Sequence, residues 1–82
     1  MVSGSKKQID IARLKADLAA ASIELLSAHC ATDRVRLQYA PHDIVAFAER
    51  RALERAIACA QAMHCFFSQV EAQLTRHEDP NP

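Results

Sequence analysis

From Asp43 to His77 the chain reads DIVAFAERRALERAIACAQAMHCFFSQVEAQLTRH, without a glycine or a proline. Apolar residues recur there at steps of three and four: Leu53, Ile57, Ala60, Met63, Phe67, Val70 and Leu74. Such steps place side chains on one stripe of a 3.6-residue helix. The stretch is predicted to be one long helix, about residues 41–77, that lays this stripe on a second element. Pro41 disfavours helical geometry at Ala40 and suits a first helical turn. His42 and Asp43 bring polar groups to that end, and Arg76 and His77 suit the other, as the helix dipole prefers.

A second periodic stretch precedes it. Ser5 and Gln8 form an S-x-x-Q capping pattern, which predicts a helix beginning at Lys6. Ile11, Leu14, Leu18, Ala21, Leu25 and Ala28 then follow a heptad, the seam expected of a helix packed nearly antiparallel on another. Another set, Ile9, Ala12, Ala16, Ala19, Ile23, Leu26 and Cys30, lies roughly 170° away at ~100° per residue. Charges fall mainly between the two sets. A surface helix normally has one apolar stripe and one polar face. Two opposed stripes therefore predict contacts on two sides.

Where the first helix ends decides the shape. The expected span is residues 6–30, with a connection over 31–41 in which Asp33 could re-cap a further turn. Lys6 would then stand opposite Phe66, and about ten residues carrying Phe67, Val70 and Leu74 would overhang by roughly 15 Å. In the alternative, Thr32, Val35 and Tyr39 extend the heptad, the helix runs to Tyr39, and the overhang disappears. Either way the fold class is all-α: a coiled-coil-like, two-helix antiparallel hairpin. It forms one domain over residues 6–77, between tails at 1–5 and 78–82 expected to be disordered.

Composition sharpens this picture. In 82 residues a single core is marginal. Half the residues are hydrophobic, but the aromatics are only Tyr39, Phe47, Phe66 and Phe67, and alanine dominates the rest. Alanine favours helix and fills little volume. The balance suits a thin hairpin that needs a partner better than a self-sufficient globule.

Charge and candidate chemistry narrow the function. Ten basic and ten acidic residues give no net charge, so nucleic acid is not an expected partner. Arg34, Arg36, Arg50, Arg51 and Arg55 alternate with Asp33, Asp43, Glu49 and Glu54, which reads as a solvated, salt-bridged face. Three cysteines, an odd number, and a first segment without an apolar run after its charges point to a reducing cytosol. No apolar run reaches the ~18 residues of a membrane helix, so no membrane partner is expected. His29-Cys30 and His64-Cys65 are adjacent pairs whose members diverge by ~100° on a helix, which does not suit one metal ion. Arg13, Lys15 and Arg51 match, by residue type alone, the dicarboxylate site of small helical chorismate mutases, and no motif supports that reading. No cofactor, no metal and no enzymatic activity are expected.

Met63, Phe66 and Phe67 form the one bulky group, and a second helix alone would leave it half open. ELLSAH closing the first periodic stretch, LQYAPHDIVAF leading into the second, and ALERAIACAQAMHCFF as its body carry a resemblance over roughly Ile23–Leu74. The chain resembles the small E-type components of bacterial type III secretion systems, the YscE/SsaE-like helical hairpins. That resemblance implies a non-enzymatic, cytoplasmic bacterial chaperone or co-chaperone. It would bind a tetratricopeptide-like co-chaperone, a needle subunit, or both, and keep the export substrate soluble. It implies partner contacts by apolar helix faces, placed here on Ile23, Leu26, Met63, Phe66, Phe67 and Val70. The alternative is a homo-oligomer: a homodimeric four-helix bundle acting as an adaptor or a nucleic-acid-binding regulator.

Overall fold

The computed structural model describes the backbone of residues 2–78 and the side chains of residues 6–76. The tail expected over 78–82 falls, from residue 79 on, outside the described residues, as does Met1. Two helices, α1 (Val2–Tyr39) and α2 (Ile44–Glu78), pack along each other, and no strand occurs among the described residues. Arg13 of α1 pairs with Glu71 of α2 at one end, and Arg36 with Glu49 at the other, so the helices run antiparallel. The protein is an all-α helical hairpin, a rod of 60 × 16 × 14 Å.

α1 takes the longer of the two alternatives and runs unbroken to Tyr39. Thr32 does not interrupt it, because its hydroxyl donates to the Ala28 carbonyl at 3.1 Å, one turn back. Asp33 does not start a new turn either. It points into the helix–helix seam, 2% exposed, and accepts from Arg36 at 3.3 Å. The helices are of nearly equal length, and the overhang of the shorter alternative is absent. α1 also begins at Val2, so Ser5 lies within the helix and does not mark its start.

The turn is built without glycine. The Ala40 N–H donates to the Arg36 carbonyl at 2.8 Å, and the Asp43 N–H donates to the Ala40 carbonyl at 3.0 Å. Pro41 holds the second position of that four-residue turn, where its fixed φ is favoured. No described residue has a positive φ. Asp43 then caps α2: its carbonyl accepts from Phe47 at 3.1 Å and its Oδ1 from the Ala46 N–H at 3.0 Å. The helix therefore starts at Ile44, and Pro41 belongs to the turn rather than to the first helical position.

The two stripes of α1 are reversed relative to expectation. The buried positions are Ile9, Ala12, Ala16, Ala19 and Cys30, with Ile23 and Leu26 half-buried beside them. The heptad assigned to the seam faces solvent: Leu14, Leu18 and Leu25 are 66%, 68% and 63% exposed. Volume explains the choice. α2 brings Leu53, Ile57, Phe67 and Leu74 to the seam, all half-buried, together with buried Ala46 and Ala60. Large side chains on one helix interdigitate with small ones on the other, and alanines admit them where leucines would overfill the space. The opposed stripes nearly cancel, so α1 is scarcely amphipathic as a whole although each face is ordered.

This core is thin. Five of the seven buried apolar residues are alanines, and no large side chain is fully buried. A globular monomer of this mass would expose roughly 4,900 Å² and have a radius of gyration of about 12 Å. This chain exposes 6380 Å², with a radius of gyration of 18.4 Å. The excess is what a rod with one seam must show. Among the described residues, no helix is long and apolar enough to cross a membrane.

Candidate partner-binding surface

The six residues singled out for partner contact separate into two groups. Ile23 and Leu26 are half-buried on the inner face of α1, and Phe67 and Val70 are half-buried on α2. These four serve largely to hold the hairpin together. Met63 and Phe66 are 53% and 58% exposed. Met63 leaves the inner stripe because His64, the next residue, occupies the turn-spaced position between Ala60 and Phe67. The His64 Nδ1 is buried there without a hydrogen-bond partner.

The bulky group does converge on one place. Lys15, Leu18, Ala19 and Ser22 of α1 face Ala60, Met63 and Phe67 of α2 across a mostly apolar groove of about 230 Å³. Phe66 and Phe67 meet edge to face, with centroids 5.0 Å apart and planes at 76°. Such a pair is worth about 0.5–1.5 kcal/mol beyond area burial and fixes both rings. The Lys15 ammonium lies 5.4 Å from the Phe67 ring centroid, over its face. The groove therefore has an apolar floor, one cationic edge, and two large side chains standing beside it. α1's contribution, through Leu18 and Ser22, was missed by the sequence reading. Leu18 belongs to the heptad expected at the inner seam, and Ser22 to neither apolar set.

Polar chemistry gathers instead at the turn. Arg36 reaches Asp33 at 3.3 Å, Asp43 at 3.2 Å and Glu49 at 3.4 Å, and so ties α1, the turn and α2 together. The second Asp33 oxygen, Oδ2, is buried without a donor. Glu49 lies beside Asp33, and two carboxylates cannot hydrogen-bond unless one holds a proton. Asp33 therefore pushes the Glu49 pKa above its ordinary 4.5, with partial desolvation adding and Arg36 opposing. Asp43 is shifted the other way, below 3.8, first by the Ala46 N–H it accepts and then by Arg36. At the far end Glu71 raises the Arg13 pKa through a 2.8 Å hydrogen bond.

Cys30 is buried, Cys59 and Cys65 are exposed, and none is in a disulfide. Among the described residues, no three His, Cys, Asp or Glu side chains come together as a metal site would require. Comparison with protein-family models, with curated proteins and with solved structures finds no match to this chain.

Proposed function

We propose that this hairpin is a non-enzymatic binding subunit, a bacterial cytoplasmic chaperone or co-chaperone of type III secretion. It would engage a helical partner, a tetratricopeptide-like co-chaperone with or without the needle subunit, through the groove flanked by Met63 and Phe66. The observation that carries the binding role is that pair, more than half exposed, beside an apolar groove with a cationic rim. Large side chains left out of a thin core beside a formed groove are what a partner helix would bury. The secretion assignment rests on the sequence resemblance over Ile23–Leu74. The action would be steric: covering apolar helices of an export substrate so that it does not aggregate.

The test is co-expression with the co-chaperone and needle subunit of a type III system from the same genome. The expected result is a stoichiometric complex on size exclusion that is lost with Met63→Asp plus Phe66→Asp. Those variants should keep the helical content of the parent, because both positions lie outside the seam. A wild-type chain that stays unbound at tens of micromolar would overturn the assignment.

A further inference from the structure

The outer face of α1 is a second apolar surface, and its occupant can be read from the residues that flank it. Ile11, Leu14, Leu18, Leu25, Val35 and Tyr39, all exposed, occupy positions of one heptad that Ala21, Ala28 and Thr32 complete. Setting Ile11 at the first core position, a, makes Leu14 the second, d. The flanking g positions are then Asp10, Asp17, Glu24, Ala31 and Gln38, three acids and no base. The opposite flank, e, carries Lys15, Ser22, His29 and Arg36, with no acid among them. None of the three acids makes an ion pair among the described residues. Arg36 is already engaged by Asp33, Asp43 and Glu49, whereas Lys15, over the Phe67 ring, and His29 form no ion pair among the described residues.

This arrangement discriminates between orientations. In a parallel, in-register pair of such helices, each g residue faces the e residue five positions on in its partner. Asp10 then meets Lys15 of the second copy and Glu24 meets His29, while Asp17 meets Ser22 and Ala31 meets Arg36. In an antiparallel pair g faces g and e faces e, which leaves no acid opposite a base; overlapped along the whole helix, Asp10 and Asp17 face Gln38 and Ala31. The flanks thus offer opposite-charge contacts to a second copy of α1 running parallel and none to one running antiparallel. The size fits as well. One side of a 60 × 16 × 14 Å rod offers about the ~800 Å² per partner of a standard specific interface. The chain's zero net charge adds no long-range repulsion between copies.

We infer that the outer heptad of α1 is a homodimer seam, a parallel in-register coiled coil between two copies of this chain. It does not rest on the secretion reading; Met63 and Phe66 on α2 lie outside the seam, but Leu18, Lys15 and Ser22 also line the groove beside Met63, so the dimer and the partner of that groove compete.

Sedimentation equilibrium of the full chain tests association, and engineered cysteines test orientation. The expected result is a dimer at tens of micromolar, with Leu18→Glu plus Leu25→Glu weakening it by at least ~100-fold while helicity is kept. Asp10→Lys plus Glu24→Lys should weaken it several-fold, and adding Lys15→Glu plus His29→Glu should restore it. With the natural cysteines replaced by serine, Leu14→Cys should cross-link to its own copy under mild oxidation, because only parallel pairing brings that off-centre position against itself. A chain that stays monomeric to about 100 µM overturns the dimer, since such weak pairing lies below specific affinities. A dimer insensitive to Leu18→Glu plus Leu25→Glu overturns the seam, and a Leu14→Cys dimer that does not cross-link overturns the parallel orientation.

Discussion

At the scale of single residues the turn cluster matters most, because its two shifted carboxylates titrate in opposite senses. Glu49 binds its proton more tightly folded than unfolded, since Asp33 raises its pKa. Its contribution is therefore present below 4.5 and is lost as pH rises through the raised value. Asp43 behaves oppositely: its contribution is present above 3.8 and is lost as pH falls through the lowered value. Melting temperature measured by circular dichroism from about pH 3 to pH 7 should show both limbs as differences from variants. Glu49→Gln should remove the loss on the alkaline side, and Asp43→Asn the loss on the acid side. Both groups are open to solvent, so added salt should shrink the two differences. Asp43→Ala, which also removes the cap on α2, should lower the melting temperature by roughly 4–8 °C. Asp43 was legible in the sequence as an acid favoured by the dipole. Its role as the cap was not, because Pro41 offered a competing start two residues earlier. Asp33 was not legible at all as a buried residue. Its burial depends on Arg36, Glu49 and the exact reach of α1, none of which a local pattern encodes.

At the scale of the helix, periodicity identified both elements and their antiparallel pairing but could not say which stripe of α1 turns inward. Both stripes have heptad spacing, and the leucine-rich one has the larger apolar content, so a ranking by hydrophobicity selects it. Packing against α2 selects the other, because the bulky residues of α2 need small ones opposite. This reversal predicts an asymmetry between neighbouring positions. Ala16→Leu, on the buried stripe, should destabilise the hairpin by about 1–3 kcal/mol through overpacking. Leu18→Ala, two residues on but on the outer stripe, should change monomer stability by no more than about 0.5 kcal/mol. Urea unfolding at low protein concentration, where self-association is absent, compares the two directly. Equal costs at the two positions would mean that the leucine stripe faces α2 after all.

At the scale of the whole molecule, the governing fact is shape. A rod with one alanine-rich seam leaves much of its apolar surface outside, and burying a Leu side chain completely is worth about 1.5–3 kcal/mol. Leu14, Leu18 and Leu25 hold that stabilisation in reserve for association. Two copies could in principle join side by side or end to end, and the apolar ridge favours the first because it runs along the rod rather than at its tip. Small-angle scattering separates the two. A side-by-side, in-register dimer keeps a long axis near the 60 Å of the monomer and doubles only the cross-section. An end-to-end dimer would approach twice that length. Leu18→Glu plus Leu25→Glu should return the scattering profile to a rod with a radius of gyration near 18.4 Å. A maximum dimension that grows with association state would move the interface from the flank of α1 to the ends of the hairpin, and would leave the leucine ridge free for an unlike partner.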